Sequence, residues 1–236
     1  SFAGKSNMML GKKATKIFTG TDGMEKFFPK EKIMITGNPV RTTIAQSTVT
    51  RAEGLQFFSL EEEKKTVLVV GGSLGAKSIN EAIDKGMDDL LNAGLQIIWQ
   101  TGKPYSAKAK ESTSGKQSVW VNDFITQMEY AYAAADIVVA RAGAMTVAEL
   151  CVVKKPVLFV PYPFAAEDHQ TVNARQLVNK NAALMVTDKE AMEKLVRMTI
   201  ELAKDENKQE ELKKNIAALA ITDADKRIAE EILKAI

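Results

Sequence analysis

The residues with the clearest capacity for chemistry are Arg141-Ala142-Gly143-Ala144-Met145-Thr146 and, one helical turn on, Glu149. A short apolar, β-branched run, Asp136–Ala140, precedes them and reads as a strand buried on both faces. Met145–Val153 reads as a helix. Gly143 permits a tight turn and close approach of a ligand to the backbone. Thr146 is placed to bond the free amides of the first turn. Amides without partners, backed by the helix dipole, make a site for a phosphate or diphosphate. Glu149 is then an acceptor positioned for hydroxyls such as those of a ribose. The alternative is an ordinary strand-to-helix turn, and geometry alone does not separate the two.

Gly71-Gly72-Ser73-Leu74-Gly75 is a second turn of this kind, after the strand Lys65–Val70. It departs from the dinucleotide fingerprint. Ser73 stands where a glycine is required, and the next strand ends Gln100-Thr101-Gly102, with no acid for an adenosine ribose. The Gly-Lys-Ser/Thr ending of a P-loop is absent too. A glycine-rich turn before a helix still forms an anion nest. Arg41, in Gly37-Asn38-Pro39-Val40-Arg41, offers a forked contact to a diphosphate, although an isolated arginine is usually a surface residue. Phe124 and Ile125 open a helix after a strand, with packing as the default role. Glu167-Asp168-His169-Gln170 holds the one histidine. A second histidine or neighbouring cysteine for a metal is lacking, and a lone histidine is more often a loop residue or helix cap. The one cysteine, Cys151, allows no internal disulfide, fits a cytosolic setting and reads as a small core residue.

The elements that must position these groups follow from pattern. With 236 residues, 45% hydrophobic and 26% charged, the chain has an ordinary globular composition, enough for one large or two small domains. A net charge of +2 argues for no polyanionic partner, nucleic acid included. Residues 1–33 are richer in lysine and contain Met8, Met9 and Leu10. That reads either as a solvated helix face or as a contact with an anionic membrane. No apolar run reaches the ~18–20 residues of a membrane span. Strands are expected at Ala14–Thr19, Lys32–Thr36, Lys65–Val70, Gln96–Thr101, Ser118–Val121, Asp136–Ala140, Pro156–Val160 and Ala182–Val186. A helical turn is expected over Asp22–Phe27, a long helix over Ala76–Ala93, a helix from Phe124–Met128 to Ala134, and others over 188–203, 206–218 and 224–236. Strands alternating with helices across 66–186 make an α/β chain with a Rossmann-like parallel sheet. In such sheets ligands sit at the carboxyl ends of the strands, and every group named above falls at such an end.

Four stretches in order, GNPVR at 37–41, GGSLGAKSIN at 71–80, RAGAMTVAE at 141–149 and PYPFAAEDHQTVNA at 161–174, resemble those of a bacterial glycosyltransferase family. This is glycosyltransferase family 28, of the two-domain GT-B fold. Its members named by the resemblance move N-acetylglucosamine from UDP to undecaprenyl-diphospho-muramoyl-pentapeptide (lipid I), making lipid II for peptidoglycan. The resemblance implies residues 1–37 as the end of an N-terminal acceptor and membrane domain whose larger part is missing. It implies 38–223 as the UDP-sugar domain and 224–236 as a helix crossing back, which would leave Ile228, Ile232 and Leu233 exposed.

It also implies roles. Arg41 and Ser73 face the donor, Phe124 and Ile125 lie beside the uracil with the Ile125 backbone reading the base edge, and Arg141, Gly143, Ala144, Met145 and Thr146 surround the diphosphate. Glu149 takes the ribose, His169 and Gln170 the sugar hydroxyls, with Asn173 a weaker candidate, and Asn7 lies on the acceptor side. The implied donor is UDP-N-acetylglucosamine, with no cofactor and no metal, and the implied place is the cytoplasmic face of the inner membrane. The catalytic base belongs to the missing part, so donor binding without turnover is expected. Leu74 stands where the family often has glutamine, and any contact of that side chain is lost. The rivals are another lipid-directed transferase of the same fold, a donor-binding subunit needing a partner chain, and a nucleotide-binding scaffold without sugar chemistry.

Overall fold

A computed structural model describes residues 3–234. Residues 235–236, the end of the expected last helix, and residues 1–2 lie outside the described part. The chain begins with α1 (Lys5–Gly11), β1 (Ile17–Thr19) and β2 (Ile33–Ile35). The two strands pair in parallel and cover a small apolar cluster of Ala3, Met24 and Phe28. The helical turn expected over Asp22–Phe27 is a single turn, closed by the Phe27 and Phe28 amides donating to the Met24 carbonyl at 3.0 and 3.1 Å. α2 (Thr42–Ala45) and α3 (Arg51–Phe57) follow, the latter closed by a capping box between Thr50 and Glu53.

The main body is a six-stranded parallel sheet. Its elements are β3 (Lys65–Val70), α4 (Lys77–Lys85), α5 (Met87–Asn92), β4 (Leu95–Gln100), α6 (Lys103–Ser112), β5 (Val119–Asn122), α7 (Met128–Ala134), β6 (Ile137–Ala140), α8 (Ala144–Val153), β7 (Val157–Phe159), α9 (His169–Val178) and β8 (Leu184–Met185). α10 (Ala191–Lys204), α11 (Glu206–Ala217) and α12 (Ala224–Leu233) complete it. The strand order is β5-β4-β3-β6-β7-β8, so the chain reverses direction across the sheet between β3 and β6. A Rossmann-like sheet binds ligands at that switch point.

The continuous apolar runs are two alternating half-faces. Val67 and Val69 of β3 join Ile97, Trp99, Ile137 and Val139 in a core shared with α4, α5 and α10. Leu68 and Val70 join Ile98, Val138 and Ala140 in a core shared with α3, α7, α8 and α9. Each fully buried side chain of this size contributes roughly 1.5–3 kcal/mol, so the central strands are rigid posts for the loops at their ends.

Two boundaries differ for identifiable reasons. The helix expected over Ala76–Ala93 breaks at Gly86 (φ −101°, ψ 16°). A side chain there would lie 2.6 Å from Val196 of α10, so the packing of α10 requires the glycine and the chain turns at it. Asp136 precedes β6 rather than starting it. Its carboxylate accepts from the Thr66 amide at 2.8 Å and from Arg51 at 3.2 Å, tying the two central strands together at their amino ends. α12 reaches back to the N-terminal segment, where Lys16 pairs with Glu231. Ile232 and Leu233 are exposed and Ile228 is half-buried.

Candidate active site

The crevice lies beyond the carboxyl ends of β3 and β6. On one side is the loop Gly71–Ala76. Ser73 and Leu74 are exposed at its tip. Its base is fixed by Gly75 at φ +76°, where an added Cβ would stand 1.9 Å from the Thr101 carbonyl. Only glycine permits that approach. Below it, Asn80 donates to the same Thr101 carbonyl at 2.7 Å and accepts from the indole of Trp99 at 3.0 Å.

Gln100, at the end of β4, is buried and bonds in two directions. Its Nε2 donates to the Gly72 carbonyl at 3.0 Å, and its Oε1 accepts from the Ile125 amide at 2.9 Å. Phe124 is half exposed and Ile125 is buried. Both precede α7, which starts at Met128, so they sit in a loop and do not open the helix as the sequence suggested. The Ile125 N–H donates to Gln100 Oε1, which fixes the backbone expected beside the base.

On the other side is the β6–α8 turn. Gly143 is the N-cap residue of α8 at φ −64°, ψ 148°, an extended conformation open to any residue. Its value is space: an added Cβ would meet only Thr146 Oγ1, at 3.8 Å. Thr146 lies inside the helix and makes no capping bond, contrary to the sequence reading. The first helical bond is Val147 N–H to Gly143 O, so the amides of Ala144, Met145 and Thr146 precede the hydrogen-bonded ladder at the positive end of the α8 dipole.

Arg141 has a different place from the one its sequence position suggests. Its guanidinium is buried and donates to the carbonyls of Val160 and Pro161 at 2.9 and 3.1 Å, to Ser78 at 3.1 Å and to Asp188. Tyr162 lies over it, 5.4 Å from ring centre to guanidinium carbon. Arg141 therefore braces the turn against β7 and the segment before α10 through Nη1 and one N–H of Nη2. Asn173 acts similarly: it is buried and donates to the Ala142 carbonyl at 3.1 Å.

Glu149 and Arg41 come together, with Arg41 Nη2 3.6 Å from Glu149 Oε1. The other oxygen, Oε2, accepts from the Tyr132 hydroxyl at 2.8 Å. Burial, and the Glu149 charge beside it, push the Tyr132 phenol well above its ordinary pKa, so it stays a neutral donor. Tyr132 carried no signal in the sequence beyond being an aromatic in a helical run. His169 opens α9, following Glu167 and Asp168, both left-handed (φ +52° and +51°). Gln170 accepts from the Tyr162 amide at 3.0 Å. Cys151 is buried, and that burial raises its thiol to about 11, which fits a core residue. Asn7 is exposed on α1, whose Met8 packs into the small N-terminal cluster. Among the described residues no group of three or more histidine, cysteine or acidic side chains is arranged to hold a metal ion.

A cavity of about 450 Å³ adjoins α8 on the face carrying Ala144, Val147, Ala148 and Cys151. Glu149 lies about 150° around the helix from that face, at 100° per residue. The amino end of α8 thus separates the cavity from the Glu149 crevice.

Residues 66–228 match the glycosyltransferase family 28 C-terminal domain. A protein from Parabacteroides distasonis is 48% identical over 238 residues, covering all of this chain and 65% of the relative. One from Flavobacterium psychrophilum is 46% identical, covering 99% of this chain and 64% of the relative. Both are named UDP-N-acetylglucosamine--N-acetylmuramyl-(pentapeptide) pyrophosphoryl-undecaprenol N-acetylglucosamine transferase. The crystal structure of Acinetobacter baumannii MurG superposes with a TM-score of 0.77 at 26% identity, over 98% of this chain and 64% of that one. The chain spans about 65% of the length of the curated relatives it matches. Its parallel sheet, its switch-point crevice and its match over residues 66–228 place it in one family: the chain belongs to glycosyltransferase family 28, through that family's C-terminal domain.

Proposed function

We propose that this chain is the donor-binding part of an inverting transferase that moves N-acetylglucosamine from UDP to lipid I, giving lipid II. What supports the reading is the juxtaposition at the switch point of the amino end of α8 with Glu149 one turn further on. The diphosphate sits on the amides of Ala144–Thr146, with Ser73 and Gly143 lining its approach and Arg41 supplying the cation. Glu149 accepts from the ribose hydroxyls. Phe124 offers its exposed ring to the uracil, with Ile125 as the buried support beneath it. His169 and Gln170, at the start of α9, address the transferred sugar.

The chemistry asked of these groups is electrostatic. Negative charge grows on the UDP oxygens as the sugar–phosphate bond breaks, and preorganised amides stabilise it more than they stabilise the ground state. Removing one such donor typically costs on the order of 3 kcal/mol. The incoming hydroxyl needs a base, and His169, on the donor side, is not assigned that task. UDP-N-acetylglucosamine serves as substrate without a cofactor.

The domain limits 1–37, 38–223 and 224–236 belong to this reading, as does Asn7 on the acceptor side. So does a peripheral position at the cytoplasmic face of the inner membrane, supported by exposed Met9 and Leu10 between Lys5 of α1 and Lys12 and Lys13 just after it. No helix of the described residues is long and apolar enough to cross a membrane. The test is UDP affinity of the wild type and of Glu149→Ala. Loss of two hydroxyl bonds to a carboxylate predicts a fall of roughly 100-fold or more. Equal affinity contradicts the reading.

A further inference from the structure

The two oxygens of Glu149 are held in very different ways. Oε2 faces inward, to a tyrosine that is 2% exposed, through a 2.8 Å hydrogen bond. Oε1 faces Arg41, whose side chain is 57% exposed and stands 3.6 Å away. A charge-assisted bond of good geometry is about 2.7–2.9 Å long, so the inner contact is a fixed bond and the outer one a loose ion pair. The Glu149 side chain is only 12% exposed, so the arginine is the partner open to solvent and able to exchange.

We propose that Tyr132 is a positioning residue that aims one oxygen of Glu149 into the crevice, and that Arg41 is its exchangeable counter-ion, passing to the diphosphate when a ribose takes that oxygen. The proposal rests on the donor-site reading above. Glu149 lies five residues beyond Ala144, about 7.5 Å along the axis of α8, and Arg41 caps α2, which packs on α8. One flexible guanidinium therefore serves both the carboxylate and the amino end of the helix.

A coupling follows. A ligand with ribose but no phosphate displaces Arg41 from Glu149 and offers it nothing in exchange. A ligand with both gives Arg41 a stronger partner than the one it leaves. Arg41 thus opposes nucleoside binding and favours nucleotide binding, and the site discriminates against uridine, the dephosphorylated product.

The experiment is ligand-observed NMR titration of wild type, Tyr132→Phe and Arg41→Ala with UDP, its 2′,3′-dideoxy analogue and uridine. Tyr132→Phe is expected to weaken UDP about tenfold, the scale of one hydrogen bond to a charged group, and the dideoxy analogue less than twofold. Arg41→Ala is expected to weaken UDP about tenfold while leaving uridine as tight or tighter. Equal weakening of UDP and the dideoxy analogue by Tyr132→Phe, or of UDP and uridine by Arg41→Ala, overturns the proposal while the donor site stands. Absence of UDP binding to the wild type overturns the donor site and the proposal together. Circular dichroism checks the folding of Tyr132→Phe. Should that variant misfold, the surface variant Arg41→Ala decides alone.

Discussion

Gln100→Met is the most informative single change for the architecture of the crevice. It keeps the length and volume of the side chain and removes both of its hydrogen bonds, to Gly72 O at 3.0 Å and from Ile125 N at 2.9 Å. Each bond contributes about 1 kcal/mol net, and a buried N–H left without a partner costs a further ~1–3 kcal/mol. Ile125 is only 2% exposed, so water does not readily replace the lost acceptor. The sum is a loss of about 3–5 kcal/mol in urea unfolding, which for a chain of this size lowers the melting temperature by roughly 6–20 °C. The functional consequence is specific. The loop carrying Ser73 and the loop carrying Phe124 are joined through this one side chain, so UDP affinity falls as well. Gln100→Glu, which keeps the acceptor for Ile125 and loses the donor to Gly72, should release the Ser73 loop while holding the Phe124 loop. A Gln100→Met protein with unaltered melting temperature and unaltered UDP affinity refutes the reasoning, because both loops would then be held without Gln100.

Three other outcomes are expected. Gly75→Ala meets a left-handed backbone penalty of ~1–2 kcal/mol and a Cβ 1.9 Å from the Thr101 carbonyl, whereas Gly115→Ala (φ +79°) has open space around it. The first should therefore lower the melting temperature markedly more than the second, and equal effects would show that the loop contact carries no weight. Cys151, with its thiol near 11, should resist alkylation at pH 7.5 in the native protein and react rapidly in 8 M urea (roughly, a fully denaturing concentration). Glu231, paired with Lys16 and Lys234, is held down to about 2. A depressed carboxylate stabilises the fold above its unfolded value near 4.5 and loses that contribution as pH falls towards about 2. The difference in urea midpoint between wild type and Glu231→Gln should therefore be present at pH 6 and shrink on acidification through that range.

The framework was legible because its signals are local. Alternation of buried strands with helices, and punctuation such as Gly71-Gly72 and Pro161, mark the units of the sheet within a residue or two of their observed limits. What the sequence hid depends on partners distant in the chain. Gly86 breaks a helix because of Val196, which lies on another helix. Arg141 looks like an anion ligand in a turn, yet its donors end on Val160, Pro161, Ser78 and Asp188. Gln100 was noticed only for not being an acid, and its role appears once the Gly72 and Ile125 loops meet over it. Tyr132 has no motif at all. Its role depends on α7 coming within hydrogen-bond reach of Glu149 on α8, which no local pattern specifies. Thr146 shows the opposite error. The capping preference of threonine is real, but the N-cap of α8 is Gly143, three residues before Thr146, so the side chain falls inside the first turn.

The central claim is that the crevice between the Ser73 loop and the amino end of α8 binds a UDP-sugar and reads its sugar. Calorimetric titration of this chain with UDP-N-acetylglucosamine, UDP-N-acetylgalactosamine and UDP tests it most directly. Binding of all three through the shared UDP, tightest for the gluco sugar and with that preference lost in Gln170→Ala, is the expected result. Equal affinity for the two sugars and for UDP would mean that the start of α9 does not contact the sugar, and no binding of any of them would contradict the site itself.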